Sequence, residues 1–193
     1  MDLDRSIEFV KLLNAFRRVE RVLRVPGLER HENDAEHSYD LAMLAWYMLE
    51  TSDLGLDQTL VIKYALAHDL VEAYAGDTYI YAEDASIHAS KHDREAAAAK
   101  RLREEFPDFE DLHALIEQYE KREDRESRFV YALDKIEPVL HIFEDKGRTW
   151  REKKVSIDML IENKAAKVAE FPELVLFFNQ LIDRLREQES ELF

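Results

Sequence analysis

Residues 58–75 read Gln58-Thr59-Leu60-Val61-Ile62-Lys63-Tyr64-Ala65-Leu66-Ala67-His68-Asp69-Leu70-Val71-Glu72-Ala73-Tyr74-Ala75, and Gly76 follows. Asp57 supplies an N-cap and Gly76 a C-terminal stop, so the stretch predicts one helix. Its apolar residues, among them Leu60, Val61, Ile62, Ala65, Leu66, Leu70 and Val71, fall on every face, and such a helix belongs in the middle of a bundle. Residues 35–51 carry the same signature in Leu41-Ala42-Met43-Leu44-Ala45-Trp46, behind a cap at Asn33 or Asp34. These two segments, about 35–51 and 58–75, are the expected central pair of an all-α fold.

Helix signals continue on both sides. A first helix is expected from a cap at Asp4 to about Arg21, and an irregular stretch from Asp77 to about Ser90. Further helices are expected over about 91–106, 108–123 and 127–145, then from Ser156, with Pro172 before a last one. The chain holds only 4 Gly and 4 Pro in 193 residues, where average usage would give about 23. Few turns are being built, which favours long helices over sheets. No repeat or linker divides the sequence, so residues 1–193 are expected to form a single domain.

Composition narrows the function classes. Without cysteine there is no disulfide, thiol nucleophile or sulfur-ligated zinc site, which fits a cytoplasmic chain. A net charge of −15 argues against long nucleic acids and anionic membranes. No apolar run reaches the roughly 18 residues of a membrane span, and the opening MDLDRSIEFV does not read as a signal peptide.

His68, Asp69 and Glu72 place an imidazole and two carboxylates inside the most apolar helix of the chain. Unpaired buried charge costs several kcal/mol, so these groups require a cation, a partner or a wet cleft. On a helix, Glu72 lies four residues from His68 and three from Asp69, so all three can converge on one side. A second His-Asp pair, His92-Asp93, stands in a hydrophilic helix start and needs no such explanation.

His37 and Asp134 fit the same logic, each a polar group on an apolar helix. Pro138 lacks the N–H that would bond the Asp134 carbonyl, so that helix is expected to be kinked or loosened there. Two readings stand at this point. The histidines are satisfied core residues and the aspartates pair with Arg or Lys, or the four groups hold a divalent ion, for which Mn, Co, Mg, Fe, Ni and Zn all suit nitrogen and oxygen ligands.

The pattern resembles the HD-domain metal-dependent phosphohydrolases, and most closely the branch of 5'-deoxynucleotidases. The resemblance rests on Arg30-His31-Glu32-Asn33-Asp34-Ala35-Glu36-His37-Ser38, on His68-Asp69-Leu70-Val71-Glu72 with Gly76-Asp77, and on Ala132-Leu133-Asp134-Lys135. It implies an HD-type helical bundle with His37, His68, Asp69 and Asp134 as metal ligands. Glu72 is then expected to orient or deprotonate water and Asp77 to meet the nucleotide, unless the two acids hold a second metal. The implied reaction is release of phosphate from a nucleoside 5'-monophosphate. Similar enzymes are commonly homodimers. A phosphodiesterase, a triphosphohydrolase or a non-catalytic metal-braced nucleotide-binding module are the alternatives.

Residues 14–30 hold five arginines and two glutamates, a local +3 in an acidic chain. Guanidinium groups grip phosphate through paired hydrogen bonds, and Arg21 is the preferred contact, with Arg18 as a second. Spacing also allows Arg17, Arg21 and Arg24 to form a solvated helical face. The deoxynucleotidases carry an Arg-Trp pair here, whereas this chain has Arg21-Val22, which leaves the sugar preference open. His88 and His92 read as solvent-facing rather than as a metal pair, and Trp46 and Trp150 as core.

Overall fold

The computed structural model describes residues 2–77 and 85–193, with the side chains of 85–92 outside the description. Helix α1 (Leu3–Phe16) is capped by Asp2, not Asp4, through N–H groups of Asp4 and Arg5. It stops well short of Arg21. Residues Glu20–Arg24 instead form strand β1, antiparallel to β2 (His31–Asn33), with Glu20 opposite Asn33 and Arg24 opposite His31. The run Val19, Val22, Leu23, Val25 is rich in β-branched residues, and Pro26-Gly27 closes the hairpin, with Gly27 at φ +75°. Arg21 and Arg24 therefore sit on a strand rather than on a solvated helix.

Asn33 begins α2 (Asp34–Thr51) with a full capping box to Glu36. That frees Asp34 from capping, and its side chain turns inward and is fully buried. Helix α3 (Gln58–Ala67) starts at the expected Asp57 cap but ends earlier than the sequence suggests. Residues 68–71 form tight turns, and α4 is the single turn Glu72–Ala75, ending at Gly76 with φ +75°. Across the break Leu70 N–H bonds the Ala67 carbonyl and Glu72 N–H the Asp69 carbonyl, a spacing of three rather than four residues. The propensities of 68–75 suit a helix; the polar side chains converging on His68 and Asp69 accompany a different local path.

Helix α5 (Ala85–Glu105) begins earlier than expected. It is followed by α6 (Glu110–Lys121), α7 (Arg125–Glu144), α8 (Arg148–Lys153), α9 (Ile157–Val168), a 3₁₀ turn at Pro172–Leu174, α10 (Val175–Glu187) and α11 (Glu189–Leu192). The main core gathers Leu41, Ala45, Val61, Tyr64, Phe129, Leu133, Ile136, Leu160 and Phe171 around α2, α3 and α7. A second core under α1, α5 and α6 holds Leu12, Phe16, Leu70, Leu102 and Phe106.

Helix α7 is buried at most of its positions, including Asp134, Glu137 and Ser127, so it joins α2 and α3 at the centre. Its polar residues hide that role in a hydropathy reading. Conversely, Leu66 is half exposed, and so is Trp46, which is not a core residue. Trp150 is buried and stacks on Phe193, with ring centroids 4.6 Å apart. Among the described residues, no helix is long and apolar enough to cross a membrane.

Candidate metal centre

Three elements deliver the four expected ligands. His37 lies one turn into α2, His68 and Asp69 occupy the break after α3, and Asp134 lies mid-way along α7. His37 Nε2 is 3.1 Å from Asp134 Oδ1 and 3.8 Å from Asp69 Oδ2, and His68 Nε2 is 3.0 Å from Asp69 Oδ2. Both imidazoles are buried.

Hydrogen bonding fixes the tautomer of His68. Its Nδ1 lies 3.0 Å from the Ala65 carbonyl oxygen, which can only accept, so Nδ1 carries the proton. In the neutral ring Nε2 then presents a lone pair towards a carboxylate oxygen, and no hydrogen bond satisfies it. A buried imidazole nitrogen and a part-buried carboxylate oxygen facing each other need a cation between them. This orphaned nitrogen, with the mixed nitrogen and oxygen donor set around it, fits a divalent metal.

His37 stands between two acids, with Nδ1 3.2 Å from Glu137 Oε2 opposite its contact with Asp134. Burial and Arg21 push this imidazole down, but Glu137 and Asp134 outweigh them and raise it to about 10. A metal on Nε2 would replace that proton, with Glu137 left as the acceptor that orients the ring. Burial pushes Asp69 up, yet His68 and Arg21 hold it below the usual carboxylate range. Asp134 is likewise held low by Lys135 and His37 against its burial.

Asp69 also belongs to a second group. Single carboxylate oxygens of Asp34, Asp69 and Glu72 all lie within 4.8 Å of one another, and Asp34 and Glu72 are buried. Burial, together with Asp69 and Asp34, pushes Glu72 up to about 11, and burial with Asp69 pushes Asp34 up to about 6. Arg21 stands against this group, with Nη1 3.2 Å from Asp69 Oδ2 and 3.4 Å from Asp34 Oδ1, and Nε 3.3 Å from Glu32 Oε2. Its partners keep it charged although burial opposes that.

Arg21, half-buried Asp77, Asp134 and Lys135 meet at a cavity of about 100 Å³ whose remaining wall includes Val22, Pro138, Val139, Ile142 and Trp150. Val22 thus lies beside Arg21 on the cavity wall. Lys164 enters from α9 and donates to the Lys135 carbonyl at 2.8 Å. Helix α7 runs on through Pro138, and Lys164 meets the carbonyl next to the one that Pro138 leaves without its helical donor. Burial and Lys135 push Lys164 down to about 7. Arg18 is exposed in the turn after α1, away from these contacts, and the side chains of His88 and His92 lie outside the described residues.

Asp34, Glu32, Glu137 and Lys164 are site residues that sequence reasoning did not select. For two of them a signal existed. Asp34 is three residues before His37 and Glu137 three after Asp134, each on the face of an apolar helix already carrying a polar group.

A helical bundle in which α2, the turn after α3, and α7 bring two histidines and two aspartates together, without sulfur, defines a metal-centre protein of the HD type. The chain belongs to the HD domain family, whose sequence pattern matches residues 13–175. It is 29% identical over 188 residues to the 5'-deoxynucleotidase HDDC2 of Bos taurus, covering 91% of this chain and 83% of that one. With the 5'-deoxynucleotidase HDDC2 of Xenopus laevis it shares 32% identity over 141 residues, 72% of this chain and 68% of the relative. Among solved structures it is similar to a protein of Magnetospirillum magnetotacticum described as a predicted metal-dependent phosphohydrolase. The TM-score is 0.83 at 32% identity, over 97% of this chain and 94% of the other.

Proposed function

We propose that this protein is a metal-dependent 5'-nucleotidase that releases phosphate from (deoxy)nucleoside 5'-monophosphates. The observation that carries the reading is Arg21. A part-buried guanidinium stands 3.2 Å from Asp69, between the His37, His68, Asp69 and Asp134 cluster and a partly apolar cavity. A phosphate beside that cluster would replace carboxylate oxygens in the fork of Arg21, and the attached nucleoside would extend along Val22 and Trp150. The names of the relatives support the substrate class.

A divalent ion held by the four ligands supplies positive charge for the phosphoryl oxygens and acidity for a water molecule. The remaining steps belong to the protein. Glu72, buried against Asp34 and Asp69, would be free to accept the proton of the attacking water once a divalent ion offsets the neighbouring carboxylates that push it up, and Asp34 lies beside it. Arg21 holds the phosphate in line, and Asp77, on the cavity wall, meets the sugar. The bond formed joins the water oxygen to phosphorus; the bond broken joins phosphorus to the 5' oxygen, which leaves as the nucleoside hydroxyl.

In this reading residues 1–193 act as one domain, the protein is a cytoplasmic homodimer, and the exposed α2 stripe Tyr39, Met43, Trp46 and Tyr47 is available for association. A phosphate-release screen over ribo- and deoxynucleoside monophosphates with Mn, Co, Mg and Zn tests the activity. Turnover that Asp69→Ala and Glu72→Ala abolish, with the helical spectrum intact, is expected. No release with any nucleotide and any metal, or full activity in Asp69→Ala, overturns the reading.

A further inference from the structure

We propose that Glu32, Asp40, Glu137 and His141 form a separate divalent-cation site of the Mn²⁺ class, one helical turn beyond His37. Two helices and a strand bring it together. Asp40 follows His37 by three residues on α2, Glu137 follows Asp134 by three on α7, and His141 lies a further four along; Glu32 is the central residue of β2. One donor atom from each of the four can be chosen so that all lie within 4.8 Å of one another.

The spacings suit an ion. His141 Nε2 is 3.2 Å from Glu137 Oε1 and 3.9 Å from Asp40 Oδ2, and its Nδ1 is 3.7 Å from Glu32 Oε1. Adjacent ligands on an ion with bonds of about 2.1 Å are separated by roughly 3 Å or a little more. Three carboxylates and one imidazole are a hard-to-borderline donor set, which excludes the soft ions.

Beyond the acidic cluster itself, an orphaned atom points into it. Glu137 is 1% exposed, and while its Oε2 meets His37, its Oε1 faces His141 with no hydrogen bond to satisfy it. Arg21 meets only the far oxygen of Glu32 and is shared with Asp34 and Asp69. Asp40 and His141 remain partly exposed, with side chains 40% and 26% accessible, which gives an ion a route in from solvent. Glu137 then bridges the two centres, holding the ion through Oε1 and orienting His37 through Oε2.

The test counts metal rather than turnover. The full chain, stripped with chelator and dialysed against 100 µM Mn²⁺, is analysed for metal per chain beside the double variant Asp40→Asn/His141→Gln. The wild type is expected to retain one equivalent more. Equal counts in two folded proteins overturn the proposal, since they leave only an ion pair between His141 and Glu137. If the variant does not fold, an anomalous difference map of a Mn²⁺-soaked wild-type crystal decides: a peak within bonding distance of Glu137 Oε1 and His141 supports the site, and its absence overturns it.

Discussion

Metal-free protein should lose stability as pH rises from 7 to 9, and metal should remove that loss. The perturbation acts on His37, whose contacts with Glu137 and Asp134 raise its pKa from 6.5 to about 10. A raised histidine contributes stability that is fully present below its unfolded pKa and lost as pH climbs towards its folded one. Over pH 7–9 the unfolded ring is already neutral while the folded ring keeps its proton, so each pH unit costs close to 1.36 kcal/mol and the interval about 2.5 kcal/mol. For a chain of this size that lowers Tm by about 5–10 °C. Glu72, raised from 4.5 to about 11, acts in the same direction, and Lys164, lowered from 10.5 to about 7, acts against it by a similar amount, so the net slope follows His37. With Mn²⁺ on His37 Nε2 no proton is held there, and the downward slope should vanish. Thermal melts followed by circular dichroism in EDTA and in saturating Mn²⁺ make the comparison. A metal-free Tm that is flat or rising over pH 7–9, or the same falling slope with Mn²⁺ present, refutes the reasoning.

Other outcomes follow from single contacts. Arg21→Met removes the guanidinium facing Glu32, Asp34 and Asp69. Leaving buried carboxylates uncompensated should cost about 3 kcal/mol in chemical denaturation without metal, and Mn²⁺ should restore part of that. In turnover the same variant should lose at least about tenfold in kcat/KM, the share of one charge-assisted phosphate contact. Gly147→Ala should destabilise by several kcal/mol, because Gly147 has φ +73° and a Cβ there would lie 2.0 Å from the Leu192 carbonyl oxygen. A calorimetric Tm within 2 °C of wild type would contradict that. Val22→Trp should narrow the cavity beside Arg21 and change the ratio of deoxy- to ribonucleotide turnover; an unchanged ratio would remove Val22 from substrate recognition.

The helical class was legible because apolar runs surround two whole segments, Gly and Pro are scarce, and caps stand where helices begin, as Asp57 and Ser156 do. The four ligand candidates were legible for a related reason: each is a polar group where burial demands explanation. What escaped were features set by tertiary partners. Strand β1 falls where the sequence reads as the end of a helix and the loop after it, because five residues carry little periodicity and only pairing with β2 distinguishes them. Asp34 stood beside Asn33 as a cap candidate, because a cap and a buried carboxylate look alike until Asn33 is seen to do the capping. Lys164 had no local signal at all, since its acceptor lies on α7, 29 residues earlier.

The break after α3 explains how one aspartate serves two clusters. In a continuous α-helix Asp69 and Glu72 would sit about 60° apart around the axis, and three-residue turns bring positions i and i+3 into line. The hydrogen bond from Glu72 N–H to the Asp69 carbonyl, 2.8 Å long, marks that tightening. It places Asp69 within reach of Glu72 and Asp34 on one side while Oδ2 remains 3.0 Å from His68 Nε2 on the other. A regular helix through residues 68–71 would already leave Asp69 and Glu72 on one face as i and i+3 neighbours, and the tightened turn narrows the angle between them. The departure from the helix that the sequence favours therefore draws the metal ligands closer to the acids proposed to handle water.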